Sequence, residues 1–488
     1  MRGRKKHAAN GSLAQIACRI FQSPEREHCS GRLFEVKPIS KQHTGQAYRW
    51  RWKAMRLREE ADKLQAEVEE LQRKEDSMRA SLSWRLTAPL RWLDGAARSA
   101  SRGKHKPQSK RSFTWLDEAE FVRGGEMVLA DYSLTSAGRS SPGMRRVTNG
   151  ILRGARQAGL PLVPVDLLGP QFDDVSATLG VRETQISFPR FECRTFFLAD
   201  AGWQYTEELR PFVARLRESG IPVTALVHDA IPFDHPDLCL PESVAGFGSW
   251  MDMVFEHCSR VICVSEYSAE RVRHHLALRR PERVGHCQVC SWLPGNETWV
   301  GEAAAEHLVP EGDFILCVGT VEPRKNYGIL LQAMDALWAE RRADSTLVIV
   351  GAKGWKIDDF IEVMTTHPEW GRRLWWFDGG TDEHLHALYH ACTAFALPSI
   401  DEGFSQPLSE AASLGKPVVM SDLPVFRERV ISGGHYFDLH DINSLKRALI
   451  DALAPGAEPA RVRQASWEQS ARSLFSVFDE LPVAGTTD

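Results

Sequence analysis

Strand–helix alternation that halts at Pro294-Gly295-Asn296 and then starts afresh predicts an α/β chain of two doubly wound domains facing a cleft. Upstream of both, apolar residues at alternating spacings of three and four predict an N-terminal α-helical coiled coil. A third observation is where the charged motifs fall. They follow short apolar runs, at the strand ends where such sheets bind ligands.

The chain has 488 residues, of which 43% are hydrophobic and 9% aromatic, enough to bury several cores. No window approaches the ~20 apolar residues of a membrane-spanning helix, and no apolar core follows the start Met1-Arg2-Gly3-Arg4-Lys5-Lys6, so a soluble or peripheral protein without a signal peptide is expected. The ten cysteines are too sparse for a disulfide scaffold and read as small buried hydrophobes of a reducing cytosol. Residues 1–112 carry 26 Lys/Arg against 12 Asp/Glu, a net +14, which leaves 34 against 52, a net −18, for the remainder. A basic arm on an acidic body points to an anionic surface as a partner of the arm.

Residues 1–45, a basic segment, have no periodicity and are assigned no structure. Within 46–94, Ala54, Leu57, Ala61, Leu64, Val68, Leu71, Met78 and Leu82 form the apolar seam, roughly four heptads, with Glu75 as a flaw. The competing reading is a single amphipathic helix lying on the body. The segment ends in Trp84, Leu86, Leu90, Trp92 and Leu93 alternating with Arg85 and Arg91, a composition suited to a membrane interface. Residues 95–125 read as a basic linker.

The first domain is expected over 126–300. Its strands are Met127–Ala130, Phe196–Leu198, Val223–Val227 and Val261–Val264, and a helix bears Val147, Ile151, Leu152 and Ala155 on one face. The second, over 301–455, has strands at Phe314–Val318, Thr346–Val350, Thr393–Leu397 and Pro417–Met420, and 456–488 hold a closing helix.

Two motifs carry chemistry. Glu322-Pro323-Arg324-Lys325-Asn326 ends a strand and opens a helix with Leu330, Leu331, Met334, Leu337 and Trp338 on one face, and Asn326 is expected to cap it. A lysine point charge, a forked arginine and a helix N-terminus together suit a diphosphate. Further on, Glu402-Gly403-Phe404-Ser405-Gln406-Pro407-Leu408-Ser409-Glu410 sets Glu402 on a strand-to-helix loop and Glu410 in the early helix. Gly403 permits close backbone approach to a ligand, and two carboxylate oxygens suit a ribose diol.

With these residues in view, the chain resembles the family 4 retaining glycosyltransferases of the GT-B fold, two Rossmann-like domains, and a bacterial polysaccharide-assembly subgroup among them. The Glu402-to-Glu410 spacing and the Glu-Pro-Arg-Lys-Asn turn carry the likeness. So do Val350-Gly351-Ala352-Lys353-Gly354-Trp355, Leu385 to Pro398 and Ser421 to Glu428, all within 313–440. Ser466-Trp467-Glu468-Gln469-Ser470-Ala471 resembles the family's C-terminal helix, which crosses back to the first domain. In the first half, Val227-His228-Asp229-Ala230-Ile231-Pro232 and Pro142-Gly143-Met144-Arg145-Arg146-Val147 resemble the acceptor-side His and the Gly loop.

The resemblance implies that Arg324 and Lys325 hold the donor diphosphate, with Gly143, Gly403 and Phe404 around it, and that Glu410 binds the ribose. It implies that Glu402 lies near the sugar and that His228 orients it from the opposing domain. The expected catalytic residues are thus His228, Glu402, Arg324 and Lys325. The family pattern needs neither metal nor cofactor, and the chain has no suitable Asp-x-Asp. GDP-mannose is the donor favoured, and a lipid-linked surface polysaccharide or O-antigen-type glycan the acceptor. The expected location is the cytoplasm, peripheral at the inner face of the plasma membrane, and the coil would pair with itself or with a partner helix. Two departures stand out: Thr320 where many members carry Arg, and Ser405 where Gly is usual.

Other signals are weaker. Cys287-Gln288-Val289-Cys290 has no second pair for zinc, so buried thiols are expected. Gly351-Ala352-Lys353-Gly354 lacks the end of a P-loop and reads as a loop lining the base pocket. The basic arm has no recognition module, which argues against nucleic acid. A rival function, an inactive scaffold tethering assembly enzymes through its coil, would be expected to lose His228, Glu402 or Lys325, and all three are present. An epimerase or phosphorylase is disfavoured, the latter by the absence of a cofactor-bearing Lys motif.

Overall fold

The computed structural model describes residues 120–137, 142–167, 173–174, 190–296 and 309–479. The segments expected at 1–45 and 46–94, with their coiled coil, and most of the 95–125 linker lie outside the described residues.

The first sheet has strands β1 (Glu120–Asp131), β2 (Leu162–Asp166), β3 (Asp173–Asp174), β4 (Arg190–Leu198), β5 (Val223–Val227), β6 (Arg260–Cys263) and β7 (Gln288–Ser291). Their order is β3-β2-β1-β4-β5-β6-β7, parallel except at the β2–β3 edge. The domain begins earlier than the expected 126. β1 starts at Glu120, a bulge between Arg123 and Val128 holds Gly124-Gly125, and Gly125 takes φ 64°. That interruption hid the strand, although Phe121 is buried in the core. Pro164 similarly obscured β2.

The second sheet contains β8 (Phe314–Val318), β9 (Thr346–Val350), β10 (Leu374–Phe377), β11 (Ala394–Leu397), β12 (Val418–Ser421) and β14 (Gly434–Phe437), in the order β10-β9-β8-β11-β12-β14. All its pairings are parallel. Near-continuous apolar strands such as Phe314–Val318 are required here because helices cover both faces. A short antiparallel pair, β13 (Val430–Ser432) with β15 (Arg461–Val462), lies beside it. The strand order switches sides between β1 and β4 in one sheet and between β8 and β11 in the other, with the strands still parallel. Loops leaving these strands therefore border the crevices where doubly wound sheets take ligands.

The closing helix Trp467–Asp479 packs on the first-domain helix Pro142–Gln157 rather than on its own neighbours in sequence. Glycines make the seat. A Cβ at Gly150 would lie 2.2 Å from the Trp467 ring, one at Gly154 2.1 Å from the Trp467 carbonyl, and one at Gly295 2.6 Å from the ring. The Trp292 indole donates to the Ser470 carbonyl at 2.8 Å, and the Phe197 and Phe478 rings meet edge-on at 5.3 Å. Trp467 thus enters one core with Val147, Ile151, Leu152 and Ala155, all buried.

Candidate donor site between the two sheets

β8 runs out at Val318 and the chain turns through a 3-10 segment, Pro323–Lys325, before the helix Tyr327–Ala339. Pro323 presets the turn and removes a donor that would have no partner. Asn326 occupies the position before the helix but does not cap it. Its backbone is left-handed, φ 52°, and its side chain makes no capping hydrogen bond. The turn required a left-handed residue, which Asn tolerates better than most, and that conformation serves the turn rather than the helix end.

This turn holds Arg324 and Lys325 against Glu402, which follows β11. Lys325 Nζ donates to Glu402 Oε1 at 2.6 Å, and Arg324 Nη1 lies 2.9 Å from Glu402 Oε2. Arg324 also donates to Glu322 Oε1 at 3.0 and 2.6 Å and to the Asp401 carbonyl at 2.8 Å. Burial works against the Glu402 carboxylate, but Arg324 and Lys325 outweigh it and hold the group down to about 2. Burial likewise opposes the Arg324 charge, and Glu402, Glu322 and Asp229 together keep it above its ordinary value. Two cations, each within 3 Å of one buried carboxylate, form a balanced cluster that a diphosphate could share.

The acidic loop is fixed from below. Arg429, buried, donates to the carbonyls of Phe404 and Ser405, and its guanidinium lies 3.6 Å from the centre of the Phe404 ring. Phe404 belongs to the core shared with Trp292 and Trp467, which fixes its ring by packing. Ser405 takes φ 64°, which explains why Gly is usual here and puts the cost of the Ser in the backbone.

Gly403 is also required by a protein neighbour. A Cβ there would lie 2.2 Å from the His228 carbonyl oxygen and 3.0 Å from Asp229 Cβ, so the first domain's backbone approaches it closely. Ser265 Oγ donates to the Gly403 carbonyl at 2.7 Å, and Ser268 Oγ donates to the His228 carbonyl at 3.1 Å. His228 leaves the end of β5 into this seam, where burial pushes its imidazole down to about 4 and leaves it neutral at pH 7. Burial raises the Asp229 carboxyl to about 6 against the pull of Arg324.

The remaining expected residues sit at the edge of the cluster. Glu410, in the helix Gln406–Ser413, accepts from Arg146 Nη1 at 2.5 Å across the cleft. Gly143 lies one turn earlier on the Arg146 helix, exposed, with nothing within 4 Å of a Cβ added there. The glycines of the 351–354 loop answer to packing: Cβ atoms at Gly351 and Gly354 would meet the Gly319 and Val321 carbonyl oxygens at 1.8 and 2.6 Å. The same loop reaches over to the first domain, where Trp355 donates to the Leu238 carbonyl at 2.8 Å. Cys287 is buried and Cys290 partly so, both thiols, and no group of three or more His, Cys, Asp or Glu that could hold a metal ion occurs among the described residues.

Sequence reasoning passed over several residues here. Glu322 and Asp229 set the field on Arg324, and Asp401 accepts from the Glu402 amide at 2.7 Å while facing His235 at 3.4 Å. Glu428 crosses the cleft to accept from the amides of Glu266 and Tyr267 at 2.8 and 3.0 Å, the start of the helix Glu266–Arg279. The signal for Glu322 and Asp401 was their place beside the motif residues. Glu428 closes the Ser421-to-Glu428 stretch, but its role across the cleft had no signal, because its partner lies 162 residues away.

Two parallel-sheet domains that share one cleft, with paired cations at the switch point of the second sheet, define a protein of the GT-B type. Residues 302–469 match the family model described as glycosyl transferases group 1. Over 263 residues the chain is 33% identical to O-antigen chain mannosyltransferase B of Escherichia coli, covering 51% of this chain and 68% of that protein. The chain belongs to the group 1 glycosyl transferases. It is also 28% identical over 391 residues to the serotype-specific mannosyltransferase WbdA of Escherichia coli, covering 74% of this chain and 47% of WbdA. The chain thus spans about half the length of the WbdA relatives it matches. Among solved structures, Anabaena Alr3699/HepE in complex with UDP and glucose is similar with a TM-score of 0.48 at 14% identity, over 74% of this chain and 96% of that one.

Proposed function

We propose that the protein transfers a sugar from a nucleotide-sugar donor, mannose from GDP-mannose, to a lipid-linked surface polysaccharide of the O-antigen type, with retained configuration and without a metal. The observation that carries this reading is the convergence of Arg324, Lys325 and Glu402 at the β8–β11 switch point, opposite His228. Relatives named as mannosyltransferases, two of them as O-antigen chain mannosyltransferases, support mannose as the sugar and the acceptor class. In this reading the donor diphosphate takes the two cations, which stabilise the charge that builds on the leaving nucleotide. Glu402, released from part of its pairing, turns to the sugar, Glu410 takes the ribose, and neutral His228 orients the sugar from the other domain. The bond from sugar C1 to phosphate oxygen breaks as the acceptor oxygen bonds to C1 on the same face. The hydroxyl proton passes to the leaving phosphate.

The test is a panel of GDP-mannose, UDP-glucose and a dTDP-deoxysugar, read both as thermal stabilisation and as transfer to lipid-linked glycan. A ligand at 100 times its Kd adds ~2.7 kcal/mol of stability. Stabilisation and transfer with GDP-mannose are expected, and no response to any donor contradicts the proposal. No helix of the described residues is long and apolar enough to cross a membrane. The proposal places the protein at the membrane's inner face through its basic arm. Failure of full-length protein to float with anionic liposomes at low salt would contradict that placement.

A further inference from the structure

Arg146 begins the second turn of the helix Pro142–Gln157, on the acceptor side of the cleft, yet its guanidinium is spent on the donor side. Nη1 donates to Glu410 Oε1 at 2.5 Å and Nη2 lies 3.3 Å from Asp382 Oδ1. The Glu410 side chain is 6% exposed and that of Arg146 34%, so the pair is screened on the carboxylate's side and open toward the cleft on the arginine's. The helix that carries Arg146 cannot slide, because Trp467 fills the notches at Gly150 and Gly154. The guanidinium is therefore delivered to Glu410 from a fixed base.

We propose that Arg146 is a positioning residue of the donor site. Together with the Tyr389 hydroxyl, which also bonds this carboxylate, it sets the plane of Glu410 and with it the direction in which the carboxylate meets a ribose hydroxyl. This rests on reading Glu410 as the ribose acceptor. It makes recognition of the nucleotide a property of both domains: a ribonucleoside diphosphate binds best when the acceptor-side helix is docked, and docking is in turn favoured by the nucleotide. The experiment measures binding of GDP and UDP, and of their 2′,3′-dideoxy counterparts, to the full chain by calorimetry, for wild type, R146Q, R146K and E410Q. Wild type should prefer the ribose form of its nucleotide by roughly tenfold or more, the worth of a hydrogen bond to a charged group. R146Q and E410Q should both lose most of that preference, with R146K in between because it keeps the charge but not the fork. In transfer assays R146Q should raise the donor KM and leave kcat within a few-fold. If E410Q loses the preference while R146Q keeps it, or if R146Q binds more tightly than wild type, the role of Arg146 is overturned and that of Glu410 stands. If wild type shows no preference, or E410Q retains it, the Glu410 reading falls and this one with it.

Discussion

Replacing Gly403 by Ala puts a methyl carbon 2.2 Å from the His228 carbonyl oxygen and 3.0 Å from Asp229 Cβ. The atoms it meets are backbone and Cβ, which cannot swing aside, so one domain must retreat by roughly 1 Å to restore normal contact. Retreat weakens the Ser265 bond to the Gly403 carbonyl and the neighbouring Ser268 bond, each worth ~1 kcal/mol. With the ~1–3 kcal/mol typical of overpacking, the docked arrangement loses ~2 kcal/mol or more relative to an opened one. Because the clash lies between domains, most of this cost falls on docking rather than on the folding of either sheet. His228 is carried away from Glu402, and a misplacement of ~1 Å at reacting groups is enough for a ~100-fold loss of rate. The expected result is a kcat reduced roughly ten- to hundredfold with a small change in Tm. Gly415→Ala is the control: it has φ 67° and nothing within 4 Å, so it should cost ~1 kcal/mol in stability and leave kcat nearly untouched. A Gly403→Ala protein with normal transfer and normal Tm would refute the seam.

Three further outcomes are expected. Arg324→Ala and Lys325→Ala should each lower kcat by about a hundred- to thousandfold while circular dichroism stays native, and near-normal turnover in both removes the cluster from the chemistry. Burial holds the folded His228 at about 4, below its ordinary 6.5, so as pH falls through that window the unfolded chain takes up a proton that the folded site refuses, and up to about 3 kcal/mol of stability is lost. His228→Asn should abolish that component in a urea-midpoint series against pH. Asp229, raised to about 6, acts in the opposite sense, so the difference between variant and wild type is the quantity to read. Finally, Glu410→Ala should raise the donor KM while Glu402→Ala lowers kcat, and an unchanged kcat in Glu402→Ala contradicts the role given to it.

Much of this arrangement was legible in the sequence because it is local. Strands such as Val223–Val227, Phe314–Val318 and Thr346–Val350 are unbroken apolar runs, and the structure forms them at those bounds. The Arg324-Lys325 turn and the Glu402 loop declare themselves by standing at the ends of such runs. What escaped depended on pairing across distance. That residue 228 presses on Gly403 is a contact a sequence does not reveal. That Phe404 packs with Trp292 and Trp467 in one core could not be read from its neighbours in sequence. Asn326 looked like a cap because residue type suggests capping more strongly than it suggests a left-handed turn. β1 was shortened because Gly124-Gly125 resembles a linker and is a bulge.

The central claim is transfer from a nucleotide sugar with the sugar's configuration kept. It is tested most directly by supplying GDP-α-mannose and a lipid-linked glycan acceptor to the full-length protein, with EDTA present, and reading the new linkage by NMR. The account predicts an α-linked product formed at the same rate with and without the chelator. A β-linked product, or transfer that stops on chelation, would contradict it.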